Sequence, residues 1–208
     1  MNKDMLAPLT GVAFIILLFV GFAIQGEPPE ATDDVQDIVD HYIDNKDSVQ
    51  LGAFLVVPSG ALLMFFAAYL RKIFSAAEGA GGMLSVLPLV GLAIIAIGAA
   101  IDSTISFALA ESADDIDPIA VQGLQALWDN DFMPFALGME IFLVSVGLLV
   151  VRTGVFPKWL GWVALVLAVV ALIPADVGFI AFVGGALLLV VFSVILTLRA
   201  RSSSPQPA

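Results

Sequence analysis

Residues 159–198 read WLGWVALVLAVVALIPADVGFIAFVGGALLLVVFSVILTL, with Asp176 as the one charged side chain. A single helix over this stretch would be roughly 60 Å long at about 1.5 Å per residue, twice the roughly 30 Å of a bilayer's hydrocarbon core. Pro174, Asp176 and Gly178 supply the turn chemistry that folds it back. The stretch therefore reads as two membrane spans in a tight hairpin, Trp159–Pro174 and Val177–Leu198.

Four further apolar runs lie upstream: Leu6–Ile24, Leu51–Leu70, Met83–Ala110 and Phe132–Val151. Each is long enough to cross a membrane, and the third is longer than it needs to be, so it should tilt or project beyond one side. Composition agrees. The chain has 208 residues, 60% hydrophobic and 13% charged, with a mean hydropathy of +1.03. A soluble domain carries about 45–50% apolar and about 25% charged residues, so a water-soluble globule, a disordered chain and a fibrous repeat are excluded. The expected fold is all-α: residues 1–208 as a single polytopic integral membrane bundle of six transmembrane helices. With no cysteine there is no disulfide framework, thiolate metal site or thiol catalysis.

Lys and Arg in short loops stay on the cytoplasmic side. An internal N-terminus places Lys3, Arg71, Lys72, Arg152, Lys158, Arg199 and Arg201 inside, seven of the eight basic residues. Both termini are then cytoplasmic and the chain is a multi-pass protein of the cell membrane. Lys46 stands alone in the outer segment 25–50 among Glu27, Glu30, Asp33, Asp34, Asp37, Asp40, Asp44 and Asp47. The outer segment 111–131 adds Glu111, Asp114, Asp115, Asp117, Asp129 and Asp131, so the net charge of −11 faces outward. Adaptation to high salt explains this less well, because only Asp4 and Glu78 accompany the seven internal cations. The first span also carries Gly21-Phe22-Ala23, which resembles a processing site. Its long apolar run and the offset of Lys3 by Asp4 favour an uncleaved helix.

After Pro28-Pro29, Thr32 reads as an N-cap, and Val35, Ile38, Val39, Tyr42 and Ile43 recur at helical spacing. This predicts an amphipathic outer helix whose stripe lies on the interface, caps the bundle or docks a partner; capping is favoured, since anionic headgroups repel so acidic a helix. Asp117 with Pro118 opens a second outer helix, which Trp128 would anchor in the headgroup belt. Asp114, Asp115 and Asp117, or Asp129, Asn130 and Asp131, lack the glycine and distal Glu of an EF-hand loop, so solvated acidic loops are the simpler reading. Close helix contacts are expected at Ala96, Ala100 and Thr104, and at Ala181 and Gly185, each four apart. Pro58-Ser59-Gly60 should kink the second span.

On the inner side, the string from Arg152 through Gly154 and Pro157-Lys158-Trp159-Leu160-Gly161-Trp162 ends one helix and opens the next, with both indoles on one face at anchoring depth. Together with the acidic loop running through Asn45 into the second span and the Arg71-Lys72 stop, this segment resembles the family of bacterial polytopic membrane proteins of unknown function numbered 4386. The resemblance covers most of the chain. It implies a six-helix fold, and it carries over no functional residue, because the family has no established active site.

Missing residues exclude several chemistries. His41, the one histidine, sits in an outer loop, away from any haem depth. No zinc-protease motif, phosphate loop, intramembrane lysine or Arg-rich helix is present, and the scattered basic residues leave no nucleic-acid footprint. Serines without a nearby base are unactivated. The halves show no convincing internal repeat of a transporter plan.

Two carboxylates remain inside the apolar runs, Asp102 and Glu140. Counted from the outer span ends each lies about 12 Å deep, so they are expected to share a level, with Ser106 one turn from Asp102 and Ser59 at similar depth. No basic residue accompanies them. They are either protonated packing groups or an intramembrane proton or cation site formed by Asp102, Glu140, Ser106 and Ser59. The leading expectation is a non-enzymatic accessory, assembly or scaffold protein with an acidic outer face, no cofactor, and the lipid bilayer, a membrane protein or a second copy as partner. The alternative is a small proton- or cation-linked carrier or channel.

Overall fold

The computed structural model describes residues 3–80, 82–173 and 176–202. They are all-helical, without strands among the described residues. The helices are α1 (Lys3–Gln25), α2 (Val35–Asp44), α3 (Lys46–Glu78), α4 (Leu87–Ser112, preceded by a short 3-10 turn), α5 (Pro118–Trp128), α6 (Met133–Thr153), α7 (Lys158–Ala171) and α8 (Asp176–Ser202). Five stretches are long and apolar enough to cross a membrane, in α1, α3, α4, α5–α6 and α8. The sixth expected span is the shorter helix α7, whose 14 residues reach about 21 Å. Pro174 of the expected hairpin lies outside the described residues, and α8 resumes at Asp176.

The long helices form a closed circuit: α1 packs on α3, α3 on α4, α4 on α6, α6 on α7, α7 on α8, and α8 back on α1. Glycine pairs set the closest crossings. A Cβ at Gly91 would lie 2.6 Å from the Gly138 carbonyl oxygen, and one at Gly138 would lie 2.7 Å from that of Gly91. Gly147 and Gly161 meet in the same reciprocal way between α6 and α7, and Gly21 and Gly52 between α1 and α3. Small residues at these crossings let the helix backbones approach closely. Of the expected stripes, Ala96 lies beside Gly60 and Gly185 under the Met139 side chain, while Ala181 is buried and Ala100 and Thr104 are exposed. α3 continues through Pro58 as one helix; the Ser59 hydroxyl donates to the Val56 carbonyl at 2.7 Å.

Six basic residues, Arg71, Lys72, Arg152, Lys158, Arg199 and Arg201, mark one end of the bundle, and the acidic segments mark the other. At the basic end Phe156, in the α6–α7 turn, is buried between Phe74 and Phe192. The Arg199 guanidinium lies 5.1 Å from its ring centroid and donates to the Val155 carbonyl at 2.7 Å. Gly154 ends α6 in the left-handed conformation expected of it (φ 65°), where other residues are strained.

At the acidic end, α2 and α5 lie against each other and against the last turns of α4. Ile38, Val39 and Tyr42 are buried with Val49, Ile105, Leu109, Ala113 and Val121. The stripe of α2 is thus spent within the chain, while Ile43 stays exposed. The N-cap is Asp34 rather than Thr32: its carboxylate accepts from the Gln36 amide at 2.9 Å. Thr32 lies two residues too early, inside a turn in which the Asp33 amide bonds to the Glu30 carbonyl and the Glu30 amide to the Asp33 carboxylate. Asp117 caps α5 as its sequence requires, accepting from the Ile119 amide at 2.9 Å.

Candidate functional site

The expected four-residue pocket does not assemble, and helix register is the reason. Gly98 of α4 packs on Pro134 of α6, with a would-be Cβ 2.9 Å from the Pro134 Cβ. Asp102 lies four residues beyond Gly98 toward the acidic end, and Glu140 lies six beyond Pro134 toward the basic end. About 15 Å of helix axis therefore separates levels that were expected to coincide. α4 overshoots the start of α6, and depth counted from each run's own end conceals the overshoot.

The two serines are also engaged elsewhere. Ser106 donates to the backbone carbonyl of Asp102 at 3.1 Å rather than to its carboxylate, and Ser59 is satisfied within α3. Glu140 stands two turns from Gly147 on one face of α6, the face on which Gly147 meets Leu165 and Gly161 of α7. Its Oε2 is buried without a hydrogen-bond partner.

Asp102 belongs to a different group, beneath the α2–α5 layer. Its electrostatic neighbours are Asp131, in the α5–α6 link, and the Trp128 indole. Trp128 is half-buried and packs on the layer's apolar core. Its Nε1 and one Asp131 oxygen are buried without a hydrogen bond of normal geometry. Above them the Tyr42 hydroxyl donates to Gln125 Oε1 at 2.6 Å. The Gln125 amide donates to the Pro29 carbonyl and to Asp129, both at 2.8 Å. The other Asp129 oxygen accepts from the Ala31 amide at 2.8 Å. Gln125 is thus fully satisfied at complete burial; its position within an ordinary amphipathic pattern gave no sign of this role. Burial holds the Tyr42 hydroxyl above the usual tyrosine range, and the Asp129 and Asp102 carboxylates add to the effect.

Lys46 pairs with Glu111 at 3.4 Å, and Gln50 donates to the same carboxylate, tying the start of α3 to the end of α4. His41 is half-buried with its pKa lowered by that burial, and its ring meets Tyr42 edge-on. Among the described residues no group of three His, Asp or Glu side chains is arranged to hold a metal ion. The exposed carboxylates of α2, including Asp37, Asp40 and Asp44, form a solvated face. No known protein family, curated protein or solved structure matches the chain.

Proposed function

We propose that the chain is a six-span integral membrane protein of the cell membrane, with both termini cytoplasmic, acting without catalysis as an accessory, assembly or scaffold protein. Its acidic layer is the outer contact surface. A slab of about 30 Å that begins at Arg152 ends near the start of α6. Asp102 then sits at the acidic boundary, the last turns of α4 project beyond it, and Glu140 lies within. Apolar α7, with Trp159 and Trp162 exposed at one end and Leu172 and Ile173 at the other, supplies the short sixth span.

One observation carries the non-conducting reading. Toward the basic end the interior is closed by Leu63, Phe66, Leu70, Phe74, Phe142, Leu143 and Phe192, all at 0% exposure. Ions crossing there would lose their hydration with little to replace it, because the buried hydroxyls of Ser145, Ser193 and Thr197 are each engaged by backbone carbonyls. A proton- or cation-linked carrier is the second reading, favoured by Asp102 and Asp131 lying together with no basic partner among the described residues. Proteoliposomes carrying a pH-sensitive dye separate the two. Under an imposed pH or potassium gradient, flux should match that of empty vesicles; a flux abolished by Asp102→Asn or Glu140→Gln would overturn the accessory reading in favour of the carrier.

A further inference from the structure

The α6–α7 turn brings two cations and two indoles to one place. Gly154 ends α6, and the stem of Lys158 folds back over it: a Cβ at Gly154 would lie 3.9 Å from Lys158 Cε. That return carries the ammonium over the end of α6, where Arg152 is exposed. Neither cation takes part in an ion pair among the described residues. Glu78, the carboxylate that acts on Arg152, is already held by the Leu84 and Ser85 amides at 3.0 and 2.9 Å. Directly after Lys158, Trp159 and Trp162 lie three residues apart on one face of α7, 61% and 59% exposed.

We propose that this turn binds one anionic phospholipid, its phosphate between Arg152 and Lys158 and its acyl chain along Trp159 and Trp162. Charge complementarity selects an anion. The indoles, with apolar surface below and a polar edge at headgroup depth, select an amphiphile over free phosphate. Lys158 supplies a mobile point charge and Arg152 a planar fork suited to phosphate oxygens.

The inference rests on the membrane reading above, and quenching of tryptophan fluorescence by brominated lipids tests the two separately. The full chain is reconstituted in phosphatidylcholine containing a minor fraction of brominated phosphatidylcholine or, in parallel, brominated phosphatidylglycerol. Trp128, at the far end, contributes the same background throughout. Quenching by the neutral lipid reports insertion. The anionic lipid should quench in excess, by about fivefold in local concentration for each basic residue. Arg152→Gln with Lys158→Gln should abolish the excess, and Arg71→Gln with Lys72→Gln, an equal change in charge on α3, should preserve it. Soluble glycerol phosphate should not compete; competition would assign the site to free phosphate and overturn the lipid proposal. Equal quenching by both lipids, or equal loss in both double variants, overturns the site while leaving insertion intact. Quenching by neither lipid overturns both readings.

Discussion

Tyr42 and Gln125, 83 residues apart in sequence, meet at 2.6 Å in the buried seam between α2 and α5. Tyr42 is 2% exposed and Gln125 fully buried, so this contact joins the two acidic segments into one layer. Three partners share the Gln125 amide group, and each holds a different part of the layer.

Tyr42→Phe keeps the packing and strands the Gln125 oxygen in a buried site. The expected cost is about 1–3 kcal/mol, read as a lowered melting temperature in detergent. Asp37→Asn, on the exposed face of α2, should change stability by less than about 0.5 kcal/mol. Equal effects would mean that the seam does not hold the layer.

The same hydroxyl predicts an alkaline transition. Its folded pKa lies above the unfolded value of about 10, so its contribution is present in full below that pH and is lost as pH rises toward the folded value. Absorbance titration should show the Tyr42 hydroxyl ionising late, together with loss of the layer. Tyr42→Phe should remove the late step, and a parent chain with both tyrosines titrating normally would contradict the buried placement.

Gly91→Ala should destabilise the α4–α6 crossing by about 1–3 kcal/mol, because a Cβ there meets backbone that cannot move aside. Gly123, on the exposed face of α5, has nothing within 4 Å of a would-be Cβ. There, alanine should stabilise by about 0.4–1 kcal/mol. Thermal denaturation of both variants checks the opposite signs.

Asp102→Asn and Glu140→Gln should act independently. With their levels about 15 Å apart, the stability changes should add within about 0.5 kcal/mol. A larger coupling in the double-mutant cycle would restore a shared site and refute the helix register described above.

Phe156→Ala empties a position enclosed by Phe74, Phe192 and Arg199. The expected loss is about 3–5 kcal/mol, whereas Trp159→Ala, on the exposed face, should leave stability in detergent nearly unchanged. Reporter fusions provide the check on orientation: a fusion after Arg201 should report cytoplasm, and one within residues 33–47 should report the outside.

Amino-acid order alone determined where helices form and, in most cases, where they end, because those properties are local. Long apolar runs make the helices, Asp117-Pro118 opens α5 and Gly154 closes α6. Charge order likewise separated a basic from an acidic end. The N-cap of α2 was misplaced because Thr32 and Asp34 have similar capping chemistry, and a backbone turn from Glu30 to Asp33 chose between them. Only the tertiary structure decided the level of one helix against the next. That register depends on where distant glycines such as Gly91 and Gly138 let backbones touch, and apolar runs of unequal length carry no mark of it. It moved Asp102 away from Glu140 to a place under the acidic layer, and it turned Phe156 and Gln125 from ordinary loop and helix positions into the buried centres of the two ends.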